Sequence, residues 1–210
     1  MFNYKELTKL ELYSILTGIF CACLIISNIL AFKTFTFFDI ILPCAVIIFP
    51  LTYIISDVLA ETYGIRKTRQ VIFLGFLLNL LAVIAFQIAI WLPAPAFFTG
   101  SEAFETVLSN SFRVLLASFL AYLVGSLLNA HIMVWLKEKS EKYLFFRCIV
   151  STLCGEGVDA IIFISIAFFG TMPLIALVGM IVAQAIVKTV YEIIVYPVTR
   201  RTIGFIKTLN

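Results

Sequence analysis

The sequence predicts an all-α polytopic membrane protein with six transmembrane helices and both termini cytoplasmic. Three observations predict it. Of 210 residues, 62% are hydrophobic and only 13% charged, with 21 Phe, and a soluble domain of this length has no interior large enough to hide that apolar surface. Apolar runs of roughly 20 residues, enough to cross ~30 Å of hydrocarbon at about 1.5 Å per residue, recur along the chain. Lys and Arg gather in alternate connections, the pattern left when positive charge is retained in the cytoplasm.

The first span, about 11–32, follows the polar leader Met1–Glu11. It is too long for a signal-peptide core and no small-residue cleavage site follows, so it is expected to stay in the mature protein. The second, about 40–60, carries Pro43 and Pro50, which remove helix hydrogen bonds and leave backbone carbonyls free near a site. The third, about 71–92, stops at the turn-forming Pro93-Ala94-Pro95, and an acidic stretch, Ser101–Glu105, lies in the connection beyond. The fourth, about 112–136, has His131 and Trp135 near its cytoplasmic end, where interfacial anchoring accounts for them. The fifth, about 149–169, is joined to the sixth, about 172–198, by a tight Gly170-Thr171-Met172-Pro173 link. Residues 1–210 thus read as one integral membrane domain in the lipid bilayer, with no room for a soluble domain and no evident sequence repeat.

Orientation follows from charge. Lys5 and Lys9, then Arg66, Lys67 and Arg69, then Lys137, Lys139, Lys142 and Arg147, then Arg200, Arg201 and Lys207 fall on one side. The other side holds Lys33 and Arg113 at span edges, so the net charge of +3 is a topology signal. A basic strip for polynucleotides would need a solvent face that the chain lacks, so no nucleic-acid partner is expected. The five cysteines, mostly inside spans and without a C-x-x-C pair, read as small core residues. With His131 alone and no G-x-S-x-G elbow, the sequence argues against an enzyme and calls for no metal or cofactor.

The informative residues are ionisable groups placed deep in, or at the end of, apolar spans. A charge near the bilayer centre costs about 2.5 kcal/mol or more, so a bundle that carries several must pair them or wet them. Asp57 and Glu61 are one turn apart on one helical face; Glu61 also reads as an interfacial helix end, with Tyr63 and Gly64. Glu156 and Asp159 are three apart on the fifth span, close enough to repel unless one is neutralised or paired. Gly155 and Gly157 strip bulk from around Glu156, which admits a neighbouring helix or a flat ligand. Lys188 and Glu192 are one turn apart on the sixth span, where an intrahelical bridge is the simplest structural reading, and the antiparallel run of the last two spans brings Lys188 near the depth of Glu156. Ser27, Asn28, Asn129 and Gln184 add neutral polar groups, and Tyr53 and Tyr191 aromatic ones. The acidic excess favours a substrate that donates hydrogen bonds or carries positive charge, or a proton that travels with it.

Ser27-Asn28-Ile29 with Ala31 and Lys33, Phe49-Pro50-Leu51-Thr52-Tyr53 with Asp57, Glu61, Tyr63 and Gly64, Gly125-Ser126 with Asn129, Ser151-Thr152 with Gly155-Glu156-Gly157 and Asp159, and Lys188 with Glu192 and Pro197 together resemble the queuosine-precursor transporter family, within the broader vitamin-uptake-transporter group. The likeness runs from the first span to the sixth. It implies a multi-pass bacterial inner-membrane importer of 7-deazaguanines: the 7-cyano or 7-aminomethyl base, or queuine. A guanine-like edge presents an N–H beside an exocyclic amine, which one carboxylate accepts as a bidentate pair. Glu156 or Asp159 is expected to make that contact, with the partner carboxylate or Asp57 facing an aminomethyl cation. Asn28, Asn129, Gln184 or Lys188 would donate to the exocyclic oxygen, and Tyr53 or a span Phe would stack on the ring. Glu192, with Asp57 and Asp159, is a candidate for proton coupling, and facilitated diffusion followed by cytoplasmic trapping would serve equally. Six spans are few for a gated path, which points to a homodimer. The competing reading is a substrate-binding membrane component that needs a separate ATP-driven energising module.

Overall fold

The computed structural model describes residues 8–31, 33–37, 40–109, 112–170 and 173–209, with the side chains of residue 34 and of 36–41 and 112–115 also left undescribed. Most of the leader, the Thr171-Met172 part of the last link and the Arg113 side chain therefore lie outside the described residues. The elements in order are α1 (Lys9–Leu30), β1 (Thr34–Phe37), β2 (Ile40–Pro43), a 3-10 turn (Cys44–Ile47), α2 (Phe49–Trp91), α3 (Ser101–Leu108), α4 (Phe112–Lys139), α5 (Leu144–Phe168) and α6 (Leu174–Thr208). Five of the helices are long and apolar enough to cross a membrane. The short α3 occupies the acidic stretch and buries none of its residues.

Helix α1 opens on a capping box: Thr8 Oγ1 accepts from the Glu11 amide at 3.2 Å while the Glu11 carboxylate accepts from the Thr8 amide at 2.8 Å. Two of the helix's orphan donors are thereby satisfied. Leu16, Phe20, Leu24 and Ser27, spaced by three or four, form its buried stripe, and Ile15, Ile19 and Ile26 face outward.

The expected second span begins too early at 40. Residues 40–43 instead pair antiparallel with 34–37, Thr34 opposite Pro43 and Phe37 opposite Ile40, and a 3-10 turn follows. The reason lies in the prolines. Pro43 cannot continue a helix, whereas Pro50 sits in the first turn of α2, where its missing N–H would have had no partner. Neither proline therefore breaks a transmembrane helix, and Pro197 alone lies inside one.

The second and third expected spans form one 43-residue helical run interrupted at Gly64, whose φ of 78° and ψ of 168° are not helical. A straight helix of that length would extend ~65 Å, twice the hydrocarbon thickness. Its contacts show a reversal instead. Along α4, Asn129 meets Asp57 and Lys137 meets Glu61, so residues 49–63 run with α4. Tyr122 meets Ile72 and His131 meets Arg69, so residues 65–91 run against it. Tyr63 donates to the Lys9 carbonyl and Lys207 to Glu61, which places both ends of the described chain beside the Gly64 reversal.

Helices α4 and α5 cross at paired glycines. A Cβ on Gly125 would lie 2.8 Å from the Gly155 carbonyl, and one on Gly155 would lie 2.7 Å from Asn129 Cβ, the close approach that small residues permit between helices in a membrane. Gly157 faces open space, so of the two glycines flanking Glu156 only Gly155 serves packing. Polarity is inverted relative to a soluble protein: Asp57, Glu61, Glu156, Lys188 and Glu192 are buried, while Leu77, Leu81, Ile186, Val190 and Ile194 are exposed.

Candidate functional site

A cavity is lined by every long helix and by the irregular segment at Pro43, Ala45 and Val46. Non-helical backbone at membrane depth is tolerated where it lines such a space. Helix α1 supplies Ser27 and Asn28, the two arms of α2 supply Phe49 and Asn79, and α4 supplies Ser118 and Tyr122. Helix α5 contributes Asp159 and Phe163, and α6 Gln184 and Lys188. Asn28 Nδ2 and Gln184 Nε2 are buried without a hydrogen-bond partner. Orphaned donors of this kind cost free energy unless something in the cavity accepts from them.

Lys188 anchors the acidic wall. Its ammonium donates to Asp159 Oδ2 at 3.0 Å and pairs with Glu156, and it lies 4.6 Å from the centre of the Phe49 ring. The intrahelical bridge to Glu192 does not form, because Lys188 reaches across to α5 instead. Asp159 lines the cavity, whereas Glu156 is fully buried behind the lysine with Oε1 unpartnered.

A second cluster lies one helical turn further along α6. Asp57 Oδ1 accepts from Asn129 Nδ2 at 2.7 Å, and Ser151 Oγ stands 3.4 Å from both carboxylate oxygens. Asp57, Glu192 and the Cys148 thiol place one atom each within 4.8 Å of one another. A third cluster closes the end of the bundle near the chain ends. Glu61 is buried there, with Arg147 at 2.5 Å and Lys207 at 2.6 Å on its carboxylate, and Lys137 donates to its backbone carbonyl at 2.5 Å. Glu61 is thus a buried ionic hub rather than a simple helix end.

Of the residues expected at the site, Asn28, Asp159, Gln184 and Lys188 share the cavity and Glu156 touches it through Lys188. Asp57, Asn129 and Glu192 belong to the second cluster. Tyr53 does not line the cavity; its hydroxyl is buried without a hydrogen-bond partner at the glycine crossing, 2.5 Å from where a Gly125 Cβ would be. Phe49 and Phe163 present rings there instead. Asn79 and Ser118 were missed, although a lone Asn in the middle of an apolar run was a readable signal. Arg147, grouped by the sequence with the loop charges between the fourth and fifth spans, lies inside α5, which begins at Leu144 and buries it. His131 is exposed and contacts Arg69, and Trp135 is exposed with Lys139 3.7 Å over its ring. The five cysteines are free, and Cys21, Cys23 and Cys148 are buried.

Two named proteins are similar in sequence to this chain. A Bacillus subtilis protein named "Probable queuosine precursor transporter" is 24% identical over 196 residues, which covers 92% of this chain and 84% of that protein. A Haemophilus influenzae protein with the same name is 28% identical over 121 residues, covering 58% of this chain and 49% of that one. No solved structure matches. The relatives' names and the apolar helices agree on a multi-pass membrane protein with a transporter role. A family profile matches residues 43–202, from the end of β2 through the Lys188 and Glu192 turns of α6, and the chain accordingly belongs to the family described as "Putative vitamin uptake transporter".

Proposed function

We propose that the protein imports 7-deazaguanine precursors of queuosine into the bacterial cytoplasm, and that the cavity at Lys188 is where the base binds. One observation carries the reading: two buried amide donors without partners, a lysine-held carboxylate and an aromatic ring converge on a single space. Asp159 accepts the N–H and exocyclic amine of the guanine-like edge. Asn28, Gln184 or Lys188 donates to the exocyclic oxygen, and Phe49 stacks on the ring. Glu156 holds Lys188 in place from behind. The names of the two relatives support the class of cargo.

In this reading α2 crosses the membrane twice, reversing at Gly64, so that the bundle has six crossings. The ends of the chain, the reversal and the α4–α5 connection carry Lys9, Arg66, Lys67, Arg69, Lys137, Lys139, Lys142, Arg200, Arg201 and Lys207, and that face is cytoplasmic.

The test is uptake of labelled 7-cyano- and 7-aminomethyl-7-deazaguanine into proteoliposomes that contain this protein alone. Wild type takes up at least one of them, and Asp159→Asn, Lys188→Gln and Glu156→Gln abolish uptake without loss of reconstituted protein. Unaltered uptake in Asp159→Asn would remove the carboxylate from the site. Binding without uptake by the wild type would mean that a separate energising component is required.

A further inference from the structure

The second cluster, outside the cavity, is unusual in its charge balance. Asp57 and Glu192 are both buried, at 0% and 1% exposure, and among the described residues no Lys, Arg or His makes an ion pair with either. Each nearby cation is committed elsewhere: Lys188 on α6 to Glu156 and Asp159, Arg147 on α5 and Lys137 on α4 to Glu61. The other titratable groups near the pair are the Glu156 carboxylate on α5, paired with Lys188, the Cys148 thiol on α5, and the Tyr196 phenol beyond it on α6, packed on Phe145 at 4.7 Å. None supplies positive charge. Independently of this acidity, Glu192 Oε1 is a buried acceptor with no donor, whereas Asp57 already receives Asn129 at 2.7 Å.

Two uncompensated carboxylates in a buried site are costly, and an orphaned acceptor adds to the cost. A single proton removes the second charge. Bound to Glu192 it neutralises the carboxylate that has no donor, and the remaining negative charge on Asp57, no more than 4.8 Å away, is held by the Asn129 donor. We propose that Asp57 and Glu192 form a proton-binding site, separate from the base cavity, whose occupancy is coupled to movement of the cargo.

Its position suits that task. Glu192 is one turn from Lys188 on α6 and Asp57 is one turn from Glu61 on α2, so the pair lies between the cavity and the ionic hub at the opposite end. A proton arriving at the pair and leaving past Glu61 would follow the direction of import.

The coupling part rests on the transport reading above, so the experiment has a component that does not. In pH-difference infrared spectra of the purified full-length protein, a protonated-carboxyl C=O band is expected in wild type and lost in both Asp57→Asn and Glu192→Gln, with the amide bands reporting that each variant is folded. This measurement needs no cargo. If the band is unchanged in both variants, or if the wild type instead releases a bound metal ion on acidification, the proton site is overturned even if transport is confirmed.

In proteoliposomes, one proton per cargo molecule supports about tenfold accumulation for an imposed gradient of about one pH unit. The two isosteric variants are expected to lose that accumulation and keep labelled-base exchange. A wild type that takes up base with no accompanying proton, read with an internal pH dye, overturns the coupling and leaves the transport reading intact. A wild type that moves no base but shows the carboxyl band overturns the transport reading and the coupling while the site itself stands.

Discussion

Removing Glu61 is expected to be far more damaging than removing any one of its partners. Its carboxylate is buried, and it receives Arg147 at 2.5 Å and Lys207 at 2.6 Å, with Lys137 at 3.7 Å. The partners differ in environment: the Arg147 side chain is 3% exposed and that of Lys207 is 50%. Glu61→Ala strands a buried guanidinium that cannot lose its proton, a loss of about 3–5 kcal/mol. Lys207→Ala removes a partner that solvent already screens and costs below about 1 kcal/mol. Arg147→Ala falls between, because Lys137 and Lys207 still neutralise the acid. Unfolding of the purified protein in mixed micelles, followed by circular dichroism, gives the three differences, and the Glu61→Ala/Arg147→Ala double variant gives the coupling. If Glu61→Ala is no more destabilising than Lys207→Ala, the buried hub does not hold the four helices together.

Gly125→Ala is expected to destabilise by at least about 1–3 kcal/mol, because its Cβ would fall 2.5 Å from the Tyr53 hydroxyl and 2.9 Å from Asp159 Cβ; Gly157→Ala, facing open space, serves as the control and should change neither stability nor uptake in the same assays. Gly64→Ala forces a side chain into a φ of 78° and should cost about 1–3 kcal/mol in micelle unfolding. A stability equal to wild type would mean that the reversal tolerates an ordinary residue.

The sequence carried depth better than it carried pairing. Long apolar runs and alternating positive charge locate helices because each depends on residues adjacent in the chain. The boundaries missed for the same reason: hydropathy marks where lipid contact ends, whereas α5 begins five residues before its expected start and α6 continues ten past its expected end, since both extend into the interface. That extension is what buries Arg147 and brings Lys207 to Glu61. The strand pair at 34–43 was illegible because its apolar residues are indistinguishable by hydropathy from a helical run.

At the site, residue type and spacing separated the ionisable residues from the bulk but did not assign partners. Lys188 and Glu192 share a helical face at the i,i+4 spacing that favours a bridge, yet the lysine sits opposite Glu156 and Asp159 on α5. The choice follows from packing. Gly125 and Gly155 draw α4 and α5 together, and α6 lies against α5 where Ile164 and Leu177 meet, so Lys188 reaches two carboxylates rather than one. Gly155 and Gly157 show the limit from the other direction. Two residues apart on a helix means about 200° of rotation, so a pair that looked like one clearing around Glu156 serves opposite faces. Once Lys188 is committed to α5, Glu192 is left without its sequence neighbour and lies within 4.8 Å of Asp57 on α2. The pairing that removes the obvious intrahelical bridge is therefore the same pairing that creates an uncompensated acid pair between the cavity and the Glu61 hub.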